Sequence, residues 1–110
     1  MDIECIGFHE SSLTEVRRID DGTICLLFDD VRVNEQIRSA SVFLKGVHQI
    51  IRDGLSVDDL TMEHSDGEVL TLDTALNSIH LIIEWNDFEK HQQITRSYKL
   101  GFEAICVEVT

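Results

Sequence analysis

Two neighbouring stretches constrain the fold more than anything else in the chain: Glu68-Val-Leu-Thr-Leu-Asp73 and Ser78-Ile-His-Leu-Ile-Ile-Glu-Trp85, separated by Thr74-Ala75-Leu76-Asn77. In the second, Ile79, Leu81, Ile83 and Trp85 recur at a period of two, while Ser78, His80, Ile82 and Glu84 take the other parity. A strand that buries one face has this pattern. Leu70 and Leu72 continue it upstream. Two apolar faces joined by four residues predict a β-hairpin with a four-residue loop at the centre of a sheet. Trp85 shares the apolar parity, so the hairpin reads as scaffold, and it holds no motif that does chemistry.

The 110 residues suffice for one hydrophobic core and fall short of two ordinary domains, so a single domain over 1–110 is expected. An apolar fraction of 43% spread through Ile, Leu and Val argues for a folded globule rather than a disordered chain. No apolar run approaches the roughly 20 residues that cross a bilayer, and Met1-Asp2-Ile3-Glu4 carries acids where a signal peptide carries bases. A cytoplasmic location without membrane contact is the expectation. Cys5, Cys25 and Cys106 lie in apolar stretches without CxxC or Cys-His spacing, which predicts buried, reduced thiols. The net charge of −12, from 21 acids against 9 bases, repels phosphate backbones, so no direct nucleic-acid partner is expected. Acidity serves solubility, and it also attracts a basic protein.

Along the chain, Ile3 to Phe8 reads as a short strand or extended lead-in. Leu13–Ile19 and Thr23–Phe28 flank Asp20-Asp21-Gly22, the clearest hairpin turn in the sequence. Asp29-Asp30 is expected to end the second strand, with Val31–Val33 extending the edge and Asn34–Arg38 a polar connection able to carry a helical turn. Ser39–Ile51 reads as one long strand bent near Gly46. Asp53-Gly54 and Asp66-Gly67 read as turns. Asn86–Gln93 is a loop or one helical turn capped by Asn86. Ile94–Leu100 and Glu103–Thr110 are strands around Gly101. No repeat at a fixed period is found. The pattern gives an all-β, mainly antiparallel fold, a β-sandwich or strongly curled meander of about eight to ten strands with at most one short helical turn.

His9, His48, His64, His80 and His91 show no spacing of a compact metal set, and no metal or other cofactor is implied. His80 stands opposite the Ile79 face beside Glu84, so a histidine–carboxylate pair on the solvent side is one reading and an ordinary strand position the other. The carboxylate pairs Asp20-Asp21, Asp29-Asp30 and Asp58-Asp59 suit turns better than a cleft. Glu63–Gly67 falls short of a calcium loop by at least one ligand. No phosphate-cradling glycine loop and no nucleophile elbow is present. Phe88, in a polar loop, is the best candidate for an exposed aromatic anchor.

Phe8-His9-Glu10-Ser11-Ser12-Leu13, followed by a hairpin, and later Leu81-Ile-Ile-Glu-Trp85 with Tyr98, resembles a loose group of small bacterial β-rich proteins. That group opens on a Phe/Leu-His-Asp/Glu-Ser-x-Leu pattern, and several members are similar to immunity proteins of polymorphic toxin systems, of the contact-dependent inhibition type. The resemblance implies a non-catalytic protein that neutralises a co-inherited toxin by direct binding, and it brings no catalytic residues with it. Glu10 stands where Asp is commoner. By residues alone, His9, Glu10 and Ser11 form a polar turn that fixes entry into the first hairpin.

The function expected is therefore an immunity-type protein that takes a basic toxin domain through an acidic surface, with Asp29, Asp30, Asp58, Asp59, Asp87, Phe88 and Glu89 as candidate contacts. A small-ligand-binding or accessory β domain is the alternative, and it calls for an apolar pocket with convergent polar groups. A hydrolase using His80 and Glu84 is the third reading.

Overall fold

The computed structural model describes residues 2–110, and the architecture is all-β and antiparallel. Among the described residues a single 3-10 turn at Ile3–Cys5 is followed by nine strands: β1 (Ser12–Asp20), β2 (Thr23–Val33), β3 (Gln36–Lys45), β4 (Gln49–Arg52), β5 (Leu55–Ser56), β6 (Asp66–Ala75), β7 (Ser78–Asp87), β8 (Gln92–Gly101) and β9 (Ala104–Val109). They form one open sheet in the order β5-β4-β8-β7-β6-β1-β2-β3-β9.

The period of two in Ser78–Trp85 is realised as read: Ile79, Leu81, Ile83 and Trp85 are all buried. β2 and β3 bury Ile24, Leu26, Phe28, Val42 and Leu44 in the same way, into the same continuous core. Among the described residues no helix covers either face, so the sheet curls until its two halves cover each other. The chain connections require this curl. Only Gly46, Val47 and His48 separate β3 from β4, which lies against β8 on the far side of the sheet order. Three residues reach roughly 10 Å, so the ends of β3 and β8 are neighbours in space.

The register reveals an internal duplication where the sequence showed no repeat. Ile24 faces Leu44 and Leu26 faces Val42 across β2–β3; Ile79 faces Leu100 and Leu81 faces Tyr98 across β7–β8. Leu13 faces Phe28 and Val16 faces Leu26 across β1–β2; Val69 faces Ile83 and Leu72 faces Leu81 across β6–β7. Even the bulge recurs, at Leu13/Glu15 and at Val69/Thr71. In this alignment Thr23-Ile-Cys-Leu-Leu-Phe-Asp29 matches Ser78-Ile-His-Leu-Ile-Ile-Glu84. The halves meet at a seam where Ser12 pairs with Glu68, its own counterpart, as a two-fold relation demands.

Each half also lends a strand to the other. β4 follows the first meander but pairs with β8, and β9 follows the second but pairs with β3. At the crossing, the His48 amide donates to the Gly101 carbonyl at 3.0 Å and the Glu103 amide donates to the Lys45 carbonyl at 2.9 Å. Glycine stands at both corners, Gly46 in the left-handed backbone region that favours it and Gly101 against the His48 ring. A Cβ on Gly46, at φ +67°, would meet Glu103 at 2.7 Å, and one on Gly101 would meet His48 at 2.7 Å.

Several expectations need correction. The β6–β7 turn is two residues, Leu76-Asn77, with Asn77 at φ 60°. Asp66-Gly67 is no turn but the start of β6, where Gly67 lies under the Trp85 ring. The bulge shifts parity, so Val69 rather than Leu70 faces the core with Leu72 packed against it. Asp29-Asp30 does not end β2; the strand absorbs them in an irregularity, Asp30 taking φ 61°, and runs on to Val33. Asn34-Glu35, both at positive φ, is a two-residue hairpin turn without helix. Ser39–Ile51 divides into two strands in different halves, and Asn86-Asp87 belongs to β7. Of the three free thiols only Cys25 is buried; Cys5 and Cys106 are exposed.

Candidate functional site

Antiparallel pairing places residues from distant parts of the chain side by side on one face. Asp29 of β2 lies opposite Ser12 of β1, Ser12 opposite Glu68 of β6, Glu68 opposite Glu84 of β7, and Glu84 opposite Thr95 of β8. Leu13, Phe28, Val69 and Ile83, one residue along each strand, point into the core, so this row points to solvent. Three carboxylates thus line the outer face across the seam, within about three strand spacings of roughly 4.8 Å each.

No cation neutralises the row: Glu68 and Glu84 form no ion pair among the described residues. Like charges directly opposite on neighbouring strands destabilise a sheet, and here the sequence keeps such a pair at its centre. Asp29 has one polar partner, the Ser39 hydroxyl, which donates to it at 2.7 Å. Beside the row, Asn86 donates to Asp66 at 2.9 Å.

The seam is held from beneath by the segment that carries the resemblance. Phe8 is buried edge-on against Phe28 with ring centres 5.0 Å apart. The Glu10 amide donates to the Val69 carbonyl at 2.8 Å, and the Val69 amide donates back to the Ser11 carbonyl at 2.8 Å. The fully buried Ser11 hydroxyl donates to the Phe8 carbonyl. Glu10 takes φ 66°. His9, Glu10 and Ser11 therefore form the turn that leads into β1, with His9 bonded to the Leu70 carbonyl.

The other sequence candidates lie apart from the row. Asp30 projects from the β2 irregularity. Asp58 and Asp59 sit on the strap between β5 and β6 and border an open groove with Arg18, Asp21 and His48. Arg18 donates to Asp59 at 2.9 Å, and this bond holds the Asp59 carboxyl below its ordinary range. Asp87, Phe88 and Glu89 mark the far end of the β7–β8 hairpin. Phe88 is 71% exposed there, and Asp87 accepts from the Lys90 amide at 3.2 Å. Of the seven candidates, Asp29 alone belongs to the row. Glu68 and Glu84 were missed as contacts because only strand pairing brings them together.

His80 bonds to the Ser97 hydroxyl at 2.8 Å, with Asp73 and Lys99 as its cross-strand neighbours, and it is not paired with Glu84. Among the described residues no cluster of three His, Cys, Asp or Glu is placed to hold a metal ion, and no helix is long and apolar enough to cross a membrane. A second polar network ties β4 to β8. Arg96 donates to Asp53 at 2.8 Å and to Glu63 at 3.1 Å, while the Ser97 amide donates to Asp53 at 2.8 Å. Comparison of the chain with family models, with curated proteins and with solved structures gives no match.

Proposed function

We propose that the chain is a non-catalytic, cytoplasmic immunity-type protein that binds a toxin domain of basic charge and neutralises it against the acidic outer face at the seam. The observation that carries this reading is the row of Asp29, Glu68 and Glu84, spread over three strands of one sheet and without an ion-pair partner among the described residues. A sheet that tolerates repulsion at its centre gains nothing from it in stability, whereas a basic partner gains a preorganised set of acceptors. The net charge of −12 adds long-range attraction that speeds encounter with such a partner. Asp87, Phe88 and Glu89 supply an exposed aromatic with flanking acids at one end of the same sheet, and Asp30, Asp58 and Asp59 extend the acidic surface. The immunity assignment itself rests on the resemblance of Phe8–Leu13 and Leu81–Trp85.

The test is co-purification with the product of the adjacent upstream gene at low and high salt. Capture at low salt that weakens as salt rises, and weakens further in the Glu68→Lys/Glu84→Lys variant, is the expected result. If that gene encodes no toxin-like domain, or if nothing binds at low salt, the reading fails.

A further inference from the structure

Strands β4 and β9 are related by the internal duplication, yet among the described residues only β4 has a further strand paired along its outer side. Ile50 of β4 faces Leu100 as Ile105 of β9 faces Leu44, and Gln49 faces Gly101 as Ala104 faces Lys45. The corners match as well: the Val47 amide donates to the Gly22 carbonyl, and the Phe102 amide donates to the Asn77 carbonyl. Beyond β4 lies β5, pairing Ser56 with Ile51 and Leu55 with Arg52, and the Val57 amide donates to the outward Ile50 carbonyl at 2.9 Å. The chain then continues over the corner as a strap, pinned by buried Leu60 and by Asp59 on Arg18. Beyond β9 no strand follows among the described residues.

The outward groups of β9 can be assigned. The Thr110 amide donates to the Ser39 carbonyl at 2.9 Å, so residues 108, 106 and 104 exchange bonds with β3 and the alternate residues do not. Ile105, Val107 and Val109 therefore turn N–H and C=O outward, and none of these groups has a backbone partner among the described residues outside the strand ladder. β5, at the other end of the sheet, is two residues long, which blunts that edge. β9 is six residues long without bulge, lysine or proline; Asp2 and Ile3 border Ile105–Val107 without a backbone bond to them, and natural sheets seldom leave the backbone groups of such an edge unpaired. At its start, Leu76, 92% exposed, overhangs a small apolar hollow lined by Ile3, Phe102 and Ile105. This hollow is the counterpart of the groove that the strap borders in the other half.

We infer that β9 is a strand-docking edge, whose occupant is an extended segment of a protein partner, alternating apolar and basic residues, laid antiparallel along Ile105–Val109. The covered edge shows the form of the occupant: a strand followed by an apolar anchor over the corner. Charge shows its chemistry. Where the covered corner has Arg18 to hold the strap's Asp59, the open one has Thr74 and Glu103, and Glu108 stands exposed on the strand itself, neither glutamate engaged in an ion pair among the described residues. A second copy of this chain would bring the same acids together, so a basic segment is the better fit. The inference rests on the reading of the chain as a binder of a basic protein and assigns a part of the contact surface to it.

The test uses the whole chain and a synthetic peptide of alternating valine and lysine, followed by amide hydrogen exchange and chemical shifts. Expected are new protection at Ile105, Val107 and Val109 and a loss of affinity of about tenfold when the peptide amides that face β9 are N-methylated or when exposed Glu108 is changed in Glu108→Lys. Binding that survives both changes, or protection confined to other strands, overturns the assignment. So does protection of the same amides by dimerisation of the free chain. Capture of the toxin separates the two readings. If Glu108→Lys retains the toxin and Glu68→Lys/Glu84→Lys loses it, the edge falls and the acidic face stands. If no toxin is captured while the peptide still protects β9, the edge stands and the immunity reading falls.

Discussion

Single side chains set the local terms of this fold. Trp85 and Tyr98 are both buried, and the indole N–H donates to the phenol oxygen at 2.7 Å. Burial pushes the Tyr98 hydroxyl above the ordinary tyrosine range. Tyr98→Phe leaves the indole N–H without an acceptor and should cost about 1–3 kcal/mol in urea unfolding. Asp53 behaves in the opposite sense. The Ser97 amide first, then Arg96, hold its carboxyl below the usual carboxylate range. A depressed carboxyl stabilises the fold at pH above its unfolded value of about 3.9, and that contribution is lost as pH falls through the folded value. Stability should thus be level above that point and decline below it, and Asp53→Asn should flatten the decline in an acid titration followed by Trp85 fluorescence. The Asp53 side chain is 36% exposed, and solvent screening keeps its share small beside that of the buried Tyr98–Trp85 bond.

At the scale of elements, alternation was legible wherever no bulge intervened. Ile79 to Trp85 could be read directly because each parity stays on its face from end to end. Val69 could not, because the extra residue of the bulge moves Leu70 out of the core parity that the sequence pattern gave it. Asp66-Gly67 was misread because Asp-Gly suits a turn, while its actual reason is the Trp85 ring: a Cβ on Gly67 would lie 2.5 Å from it. The duplication hid for a similar reason, since clear likeness is confined to Thr23–Asp29 and Ser78–Glu84 and the turns elsewhere differ in length. The acidic row was illegible in principle: Asp29, Glu68 and Glu84 meet only once three strands pair. That row yields a prediction with opposed signs. Glu68→Lys replaces a like-charge pair by an attractive one and should raise stability by about 0.2–1 kcal/mol in thermal or urea unfolding. The same substitution should weaken capture of a basic toxin. A variant that loses stability would show that the row is not under electrostatic strain.

The molecule as a whole is tied together less by its seam than by its exchanged strands. β1 and β6 share only the pairs Ser12–Glu68 and Leu13–Gly67 in strand register, a weak hinge if it stood alone. But β4 completes the half containing β8 and β9 completes the half containing β3, so neither half can unfold without stripping an edge from the other. The core is likewise one cluster drawn from both. Despite its duplicated build, the chain should therefore unfold in one transition. Each half carries a suitable reporter: Trp85 in β7, and in β2 the buried thiol of Cys25, whose titration burial pushes upward and whose reaction with a disulfide reagent requires opening. With exposed Cys5 and Cys106 changed to serine, Trp85 fluorescence and Cys25 labelling should give the same urea midpoint. Labelling of Cys25 at urea concentrations that leave Trp85 buried would mean that the halves part at the seam, and that the crossed strands at Gly46 and Gly101 do not couple them.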